Sequence, residues 1–449
     1  MRLFGTDGIR GIANVAPMDS ETALRLGRAI AHVFRRSEGR HRILIGKDTR
    51  VSGYMLETAL ESGISSMGVD VLIVGPLPTP GIAFMTRSMR ADAGVVISAS
   101  HNSYEDNGIK FFGADGFKLA DAAEDEIERL MQPGHLDELR ASPDLIGKAF
   151  RIEDAIGRYT VYLKSCIERE CKLDGLKIVL DSANGAAYRV APLVFSELGA
   201  SLITVGDKPD GKNINQGCGS LYPEVISKLV REHKADVGIA FDGDADRVIL
   251  CDENGDLLDG DLILAMCAAD LKSRGMLRGD AVVGTVMSNF GLEKFLSEQG
   301  IKLFRSDVGD RYVLAEMLER GSNLGGEQSG HVIALDHNTT GDGLLTALLV
   351  LSIMLRAKKP LSHYSSLIKR YPQVLINVPV KHKPPLTDVP GIVAALADAE
   401  KKLANCGRVL LRYSGTESKA RVMVECSEAP LCNAIAQQVA EVVKKELSE

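Results

Sequence analysis

Three carboxylates alternate with small residues along one short segment of the chain: Asp242, Asp244 and Asp246, with Arg247 directly after them. The segment follows the apolar run 237–241, which predicts a strand that ends where the acidic residues begin. An extended or turning backbone there can direct several oxygens to one point, as a hard divalent cation requires. Such a concentration of charge at a strand end is costly unless a metal or a phosphate uses it. The pattern therefore predicts a magnesium site for phosphate chemistry.

The acidic segment is also compatible with a calcium loop, a nucleophilic aspartate or a plain turn. A calcium-binding EF-hand would place acids at positions 1, 3 and 5, and Glu253 falls at position 12. However, Arg247 stands where that loop needs glycine, and apolar strands flank the segment where helices should stand. An enzyme that uses Asp242 as a phosphate-accepting nucleophile remains open from this segment alone, and so does a solvated acidic turn.

A serine follows the predicted strand 94–97, in the string Ser98-Ala99-Ser100-His101-Asn102. Open α/β folds bind ligands at such strand ends. A Ser-His hydrolase is disfavoured because adjacent residues of an extended chain point apart, and no Gly-x-Ser-x-Gly turn occurs. A phosphoryl group carried on Ser100 beside the metal would explain the serine and the aspartates together. The alternative is a polar loop in which His101 and Asn102 tie the turn.

Three further glycine-bearing stretches could bind a sugar phosphate. In 325–331, two glycines permit close backbone approach, and Glu327, Ser329 and His331 offer the hydrogen bonds that sugar hydroxyls require. In 412–417, hydroxyls and a glycine stand near two arginines, a combination suited to a phosphate dianion. The stretch 4–11 lacks the spacing of a dinucleotide site, but its Arg10 could reach an anion. The first two of these stretches could equally be hairpin turns.

Composition limits the classes of function. The chain has 449 residues, 45% hydrophobic and 25% charged, with a formal net charge of −7. No basic stripe indicates nucleic acid, and we expect no nucleic-acid partner. The eight cysteines form no Cys-x-x-Cys motif, and the first residues show no apolar signal-peptide region. The longest apolar run, 344–355, is too short to span a bilayer, so we expect a cytoplasmic protein without a membrane partner.

Short apolar strands alternate with amphipathic helices in three successive rounds, which predicts α/β layers with mixed sheets. In the second round we predict a strand at 177–181, and in the third a helix near 310–320. The final segment has the order β-α-β-β-α and predicts a small α+β domain. The length also favours several domains. We predict four of them, at 1–150, 151–252, 253–365 and 366–449. They carry, respectively, the serine, the acidic segment, the stretch 325–331 (the sugar loop) and the stretch 412–417 (the phosphate loop).

Six strings together resemble the α-D-phosphohexomutase superfamily, and within it most closely a bacterial branch that acts on glucosamine phosphates. They are FGTDGIRG (4–11), SASHN (98–102), DNGIK (106–110), DGDADR (242–247), GGEQSGH (325–331) and RYSGTE (412–417). The resemblance covers nearly the whole chain in the family's motif order. It implies four domains around a central cleft, three related α/β units and a C-terminal domain similar to the TATA-binding-protein fold.

The resemblance also implies an activity. Glucosamine 6-phosphate and glucosamine 1-phosphate would be interconverted through a phosphoserine enzyme, with Mg2+ as cofactor and glucosamine 1,6-bisphosphate (or glucose 1,6-bisphosphate) as intermediate or activator. By the resemblance, this reaction would supply the pathway to UDP-N-acetylglucosamine and cell-wall precursors. Neutral hexose phosphates, as in phosphoglucomutase and phosphomannomutase, are the alternative substrates, and a non-catalytic sugar-phosphate-binding protein is the alternative class. A homodimer is compatible with the resemblance.

Each implied role falls on a numbered residue. Ser100 would be the phosphoserine and would ligate the metal with Asp242, Asp244 and Asp246. The positions matching family residues near the reacting groups are Arg10, Lys110, Arg247 and His331. Sugar hydroxyls would be recognised by Glu327 and Ser329, and the non-transferring phosphate would be held by Arg412, Ser414, Gly415, Thr416 and Arg421.

Overall fold

The computed structural model describes the chain except for residues 1, 2, 6, 36–38, 133, 137, 138, 405, 415–417 and 449. Within that described part, no helix has both the length and the apolar composition needed to cross a membrane. The apolar run 344–355 instead lies within a helix whose residues are mostly buried in the protein core.

The first part of the chain forms a six-stranded mixed sheet in the order β1-β5-β4-β2-β3-β6. Strands β2, β3, β4 and β6 run parallel, whereas β5 pairs antiparallel with β4 and β1 pairs antiparallel with β5. Their bounds are β1 (Ile9–Ile12), β2 (Arg42–Lys47), β3 (Asp70–Pro76), β4 (Ala93–Ile97), β5 (Asp106–Gly113) and β6 (Ala149–Arg151). The helices of this part are α1 (Ser20–Phe34), α2 (Ser52–Ser65), α3 (Thr79–Ser88) and α4 (Asp121–Leu130).

The second part forms a five-stranded sheet in the order β11-β10-β9-β7-β8. Its elements are α5 (Ala155–Ser165), β7 (Lys177–Asp181), α6 (Val190–Glu197), β8 (Ser201–Val205), α7 (Pro223–His233), β9 (Val237–Phe241), β10 (Val248–Asp252) and β11 (Leu257–Leu258). Strands β9 and β10 pair antiparallel, and the acidic segment is the turn between them. All five residues of each of these two strands are buried.

The third part forms a four-stranded sheet in the order β13-β12-β14-β15. Its elements are α8 (Gly260–Ser273), β12 (Ala281–Thr285), α9 (Phe290–Glu298), β13 (Lys302–Ser306), α10 (Asp310–Arg320), β14 (Leu324–Gly326), β15 (Val332–Ala334), α11 (Gly343–Ala357) and α12 (Ser362–Ser365). Strands β14 and β15 form an antiparallel hairpin whose loop is the predicted sugar loop.

The last part has the predicted β-α-β-β-α order. Its elements are β16 (Gln373–Pro379), α13 (Pro390–Leu403), β17 (Gly407–Tyr413), β18 (Lys419–Cys426) and α14 (Ala429–Leu447). The three strands form an antiparallel sheet in the order β16-β18-β17. The prediction of three mixed α/β sheets followed by a small α+β domain is therefore confirmed.

By packing, the chain divides into two compact units. The first comprises residues 1–285 and 304–366, and the second comprises 286–303 and 367–449. The four domain boundaries given above stay predictions.

Helices α1 and α2 approach each other through glycines. A Cβ atom added to Gly63 would lie 2.2 Å from the carbonyl oxygen of Leu24, and one added to Gly27 would lie 2.5 Å from the carbonyl oxygen of Leu60. Both distances are far below van der Waals contact, so any side chain here would push the helices apart. The pair of helices packs over the core that supports β2 and β4.

We expect Gly63→Ala to lower the melting temperature, because the new methyl group forces apart two helices that pack backbone to backbone. Overpacking of this kind costs about 1–3 kcal/mol. Gly157→Ala, in α5, is the matched control, since its added Cβ would meet no described atom within 4 Å beyond the adjoining backbone of its own helix, and alanine is the better helix former. Thermal unfolding followed by circular dichroism measures both. A Gly63→Ala protein as stable as the Gly157→Ala protein would contradict this account.

Candidate active site

The acidic turn between β9 and β10 brings its three carboxylates together. One oxygen from each of Asp242, Asp244 and Asp246 lies within 4.8 Å of the others. All three residues are buried, with exposures of 0%, 1% and 5%. Ala245, at the tip, has φ of +55°, and its amide donates to the carbonyl of Asp242 at 3.1 Å, which closes the turn. The alternation of the sequence thus becomes one convergent cluster of oxygens.

The donor set fits a hard divalent cation. Oδ1 of Asp244 and Oδ1 of Asp246 are both buried, and neither has a hydrogen-bond partner among the residues that the structure describes. Buried carboxylate oxygens without a partner are costly, and carboxylates are the ligands that Mg2+ and Ca2+ prefer. Burial and the neighbouring carboxylates of Asp246 and Asp244 also raise the pKa of Asp242 well above its usual value. A cation in the cluster would remove both penalties.

Lys110 on β5 is the buried counter-charge to the cluster. Its Nζ donates to Oδ2 of Asp244 at 3.1 Å and lies 3.1 Å from Oδ2 of Asp7 and 3.8 Å from Oδ2 of Asp246. Although burial opposes the charged form, these three carboxylates raise the pKa of Lys110 above its usual value. Lys110 is therefore a fixed cation at neutral pH.

Asp246 is held ionised by the groups around it. Although burial opposes ionisation, Lys110, His331 and Arg247 keep the pKa of Asp246 below its usual value. The Nδ1 atom of His331 lies 3.6 Å from Oδ2 of Asp246, and its Nε2 accepts a hydrogen bond from the amide of Gly341 at 3.2 Å. The proton of the neutral ring is thereby assigned to Nδ1, on the side of the carboxylate.

Ser100 lies at the end of β4, directly against the acidic turn. Its Oγ donates to Oδ2 of Asp242 at 2.6 Å, and Nδ1 of His101 lies 3.3 Å from the same Oγ. The residue is 2% exposed and has φ of +51°. The structure therefore brings together the serine and the three aspartates that the sequence predicts as one site, although 142 residues separate Ser100 from Asp242.

A cleft of about 480 Å³ opens beside this cluster, in the first compact unit. Several predicted site residues line it: Arg10, Ser100, Asp246, Arg247, Glu327 and His331. Arg247 and His331 face each other across an isolated β-bridge, which fixes the sugar loop against the acidic turn. The opening is polar and large enough for a phosphorylated monosaccharide.

Within the sugar loop, the side chain of Glu327 is oriented by its neighbours. Its Oε1 accepts from the amide of Gly309 at 2.9 Å, and Ser329 Oγ donates to its Oε2 at 3.4 Å. The backbone of the loop closes through the amide of Glu327, which donates to the carbonyl of His331 at 2.8 Å. The side chains of Glu327 and Ser329 thus lie on the same side of the loop.

The predicted phosphate loop belongs to the second compact unit, between β17 and β18. Arg412 and Arg421 are cross-strand partners, so their side chains share one face of the sheet. Ser414 is buried, its amide donates to the carbonyl of Lys419 at 2.8 Å, and Arg421 Nη2 lies 3.5 Å from its Oγ. Gly415 and Thr416 lie outside the described residues.

Asp7, Lys118 and Thr79 are among the residues of the site that were not singled out from the sequence. Asp7 pairs with Lys110 and, at 2.5 Å, with Arg10. Lys118 bridges Asp7 and Asp310. Thr79 Oγ1 donates to Oδ2 of Asp244 at 2.7 Å. Asp7 lies within the string 4–11, so its position in that motif could have indicated a role in the site. No motif of the sequence marks Lys118 or Thr79 in this way.

Comparison with known protein families decides the affiliation of the chain. Four domain families described as phosphoglucomutase/phosphomannomutase match it in succession. The alpha/beta/alpha domain I matches residues 1–136, domain II 157–255, domain III 259–371 and the C-terminal domain 375–442. The chain belongs to the phosphoglucomutase/phosphomannomutase family.

Relatives within this family are similar over their full length. The phosphoglucosamine mutase of Pelobacter propionicus is 58% identical over 449 residues, which covers 100% of this chain and 99% of that protein. The phosphoglucosamine mutase of Myxococcus xanthus is 56% identical over 447 residues, covering 100% and 98%. The resemblance inferred from six short strings is thereby confirmed at the level of the family.

Solved structures share the fold. A phosphoglucomutase/phosphomannomutase family protein from Burkholderia thailandensis superposes with a TM-score of 0.83 at 25% identity, covering 99% of this chain and 97% of that one. The N-acetylphosphoglucosamine mutase of Aspergillus fumigatus, in complex with GlcNAc-6P and magnesium, has a TM-score of 0.67 at 16% identity, covering 99% and 96%. These likenesses place the chain in the family's fold.

We expect Asp246→Asn to weaken binding of Mg2+ or Mn2+ by at least about tenfold, because the amide offers no charge to the cluster. Isothermal titration calorimetry measures the affinity, and circular dichroism checks the fold. Asp256→Asn is the control, since it removes an exposed carboxylate outside the turn. Equal metal affinity in Asp246→Asn and Asp256→Asn would remove Asp246 from the metal site.

We expect His101 to be neutral at pH 7. Burial, together with Arg247 and Arg10, lowers the pKa of His101 to about 4. Nuclear magnetic resonance titration of the metal-free protein should therefore give a midpoint near pH 4, and Arg10→Ala should move it upward because one neighbouring cation is lost. A midpoint at or above the usual histidine value of about 6.5 would contradict the described surroundings of the ring.

Proposed function

We propose that this chain is a phosphoglucosamine mutase, which interconverts glucosamine 6-phosphate and glucosamine 1-phosphate. The observation that carries the proposal is the hydrogen bond from Ser100 Oγ to Asp242 at 2.6 Å, within a buried acidic cluster. Relatives 56–58% identical over essentially the whole chain bear that name. This chain also keeps the serine, the three aspartates and both arginines of the phosphate loop. The retained residues argue against a non-catalytic sugar-phosphate-binding protein.

The proposed reaction is two phosphoryl transfers in opposite directions. Phosphorylated Ser100 gives its phosphoryl group to O1 of glucosamine 6-phosphate, so the phosphorus–Oγ bond breaks and a bond to the sugar oxygen forms. The product is glucosamine 1,6-bisphosphate. After this intermediate turns over, its 6-phosphoryl group returns to Ser100, and glucosamine 1-phosphate leaves. Glucose 1,6-bisphosphate could also phosphorylate Ser100, by donating one of its phosphoryl groups to Oγ. One structurally similar protein has been solved in complex with that compound.

The residues around Ser100 suit such transfers. Asp242, Asp244 and Asp246, with an oxygen on Ser100, would hold Mg2+, which when bound offsets negative charge on the transferring group. Lys110 is a permanent cation beneath the cluster, and Arg247 and Arg10 line the cleft. His331 stands beside Asp246. We assign these four side chains either to charge stabilisation or to assisting proton transfer at the reacting oxygens, with Lys110 and Arg247 the preferred candidates.

Substrate recognition is divided between two loops in this proposal. Glu327 and Ser329, whose side chains lie side by side, would bind the sugar hydroxyls. Arg412, Arg421, Ser414 and the adjoining Gly415 and Thr416 would bind the phosphate that is not being transferred, since paired guanidinium groups and a hydroxyl suit a dianion.

The direct test is a coupled assay with glucosamine 6-phosphate, glucose 6-phosphate and mannose 6-phosphate side by side. We expect the highest kcat/KM with glucosamine 6-phosphate and no measurable turnover by Ser100→Ala, because that variant lacks the oxygen that carries the phosphoryl group. Ser103→Ala is the matched control, since its exposed hydroxyl contacts only Glu105 among the described residues, and it should keep normal turnover.

Two results would overturn parts of the proposal. If the enzyme prefers glucose 6-phosphate or mannose 6-phosphate, its substrate is a neutral hexose phosphate and the proposed amino-sugar specificity is wrong. Intact-mass analysis that finds a stable phosphate on an active Ser100→Ala protein would move the phosphoryl carrier from Ser100 to another group, with Asp242 the first candidate.

A further inference from the structure

The backbone at Ser100 is held in a conformation that serine does not prefer. Its φ of +51° lies in the left-handed region, which costs a residue with a Cβ about 1–2 kcal/mol relative to the ordinary α region. Such a conformation persists only where the surroundings impose it. Ser100 Oγ reaches Asp242 at 2.6 Å from this conformation.

Two side chains grip the backbone on either side of His101. Nη2 of Arg50 donates to the carbonyl of Ser100 at 3.2 Å and to the carbonyl of Asn102 at 2.6 Å. Nδ2 of Asn215 donates to the same two carbonyls, at 2.9 Å and 3.0 Å. Each carbonyl therefore accepts from both side chains. Arg50 and Asn215 are together called the carbonyl clamp.

Each member of the clamp is itself fixed. Arg50 is fully buried and ion-paired to Asp48, whose Oδ2 accepts from Ser98 Oγ at 2.5 Å. Ser98 Oγ in turn accepts from the amide of Ser100 at 2.9 Å, so the network closes into a ring around the serine.

Asn215 belongs to the second α/β part of the chain, and its backbone amide donates to the carbonyl of Ala183 at 2.8 Å. Next to it, Gly243 of the acidic turn leaves the room that the Ser100 carbonyl occupies. A Cβ on Gly243 would lie 2.5 Å from that oxygen. The same turn that carries the aspartates thus also shapes the backbone of the serine.

We propose that the carbonyl clamp positions Ser100 for phosphoryl transfer, an inference that rests on the function proposed above. Four charge-assisted or amide hydrogen bonds fix two carbonyls, and this holds Ser100 in the left-handed region with Oγ aimed at the acidic cluster. Neither Arg50 nor Asn215 touches the reacting atoms, so both are positioning residues. Without the clamp, the backbone relaxes toward negative φ and Oγ turns away from Asp242.

The test measures transfer from the phosphorylated enzyme in a single turnover at saturating glucosamine 6-phosphate. Asn215→Ala removes two of the four hydrogen bonds. Asn215→Asp keeps the shape of the side chain but replaces the donor Nδ2 by an acceptor oxygen. Since misplacement of a reacting group by about 1 Å costs about 100-fold in rate, we expect both variants to transfer about 10- to 100-fold more slowly. Their Kd for glucosamine 6-phosphate, measured by calorimetry, should stay that of the wild type.

Gln216→Ala is the matched control, because it alters the next, exposed side chain and should transfer at the wild-type rate. Wild-type transfer rates in Asn215→Ala and Asn215→Asp would overturn the inference alone. A slower rate explained by a weaker Kd would also overturn it, since the role would then be substrate binding. A wild-type enzyme that transfers no phosphoryl group from Ser100 would overturn the proposed function, and the inference with it. Melting temperatures show whether either variant fails to fold, in which case the other decides.

Discussion

The desolvation of three carboxylates in one turn is the constraint on which the rest of the site depends. Asp242, Asp244 and Asp246 are buried together, and their mutual repulsion must be offset. Lys110 provides the first positive charge, and it is balanced in turn by Asp7, which Lys118 ties to Asp310 at the start of α10. Along this chain of ion pairs the charges therefore alternate in sign outward from the turn.

One turn holds the candidate metal ligands and contacts both Ser100 and the predicted sugar loop. The β9–β10 hairpin presents Asp242 to Ser100, Gly243 to the Ser100 carbonyl and Arg247 to His331 of the sugar loop. The six-residue turn can make all three contacts because five of its residues are buried and its three carboxylates converge on one point. Because phosphoryl transfer requires little covalent chemistry from the protein, its catalysis depends mainly on such positioning and on charge compensation.

The sequence predicted elements well where local pattern and burial agree. Strand β7 at 177–181 and helix α10 at 310–320 have the predicted bounds, because an apolar run or an amphipathic period is bounded by clear breaks. Strand β1 was not predicted: Ile9–Ile12 is short, contains glycine, and exists through long-range pairing with β5. In the site, Ser100 and the aspartates were visible as reactive side chains. Arg50 and Asn215 were not, because they act on backbone carbonyls 50 and 115 residues away.

We propose that Ser100 and the three aspartates form a single site, in which an oxygen on the serine completes the set of metal ligands. The most direct measurement is the affinity for Mg2+, by calorimetry, of the enzyme phosphorylated on Ser100 and of the same enzyme after dephosphorylation. We expect tighter binding by the phosphorylated form, because a phosphate oxygen would join the cluster and add negative charge beside the cation. Equal affinity of the two forms would contradict it.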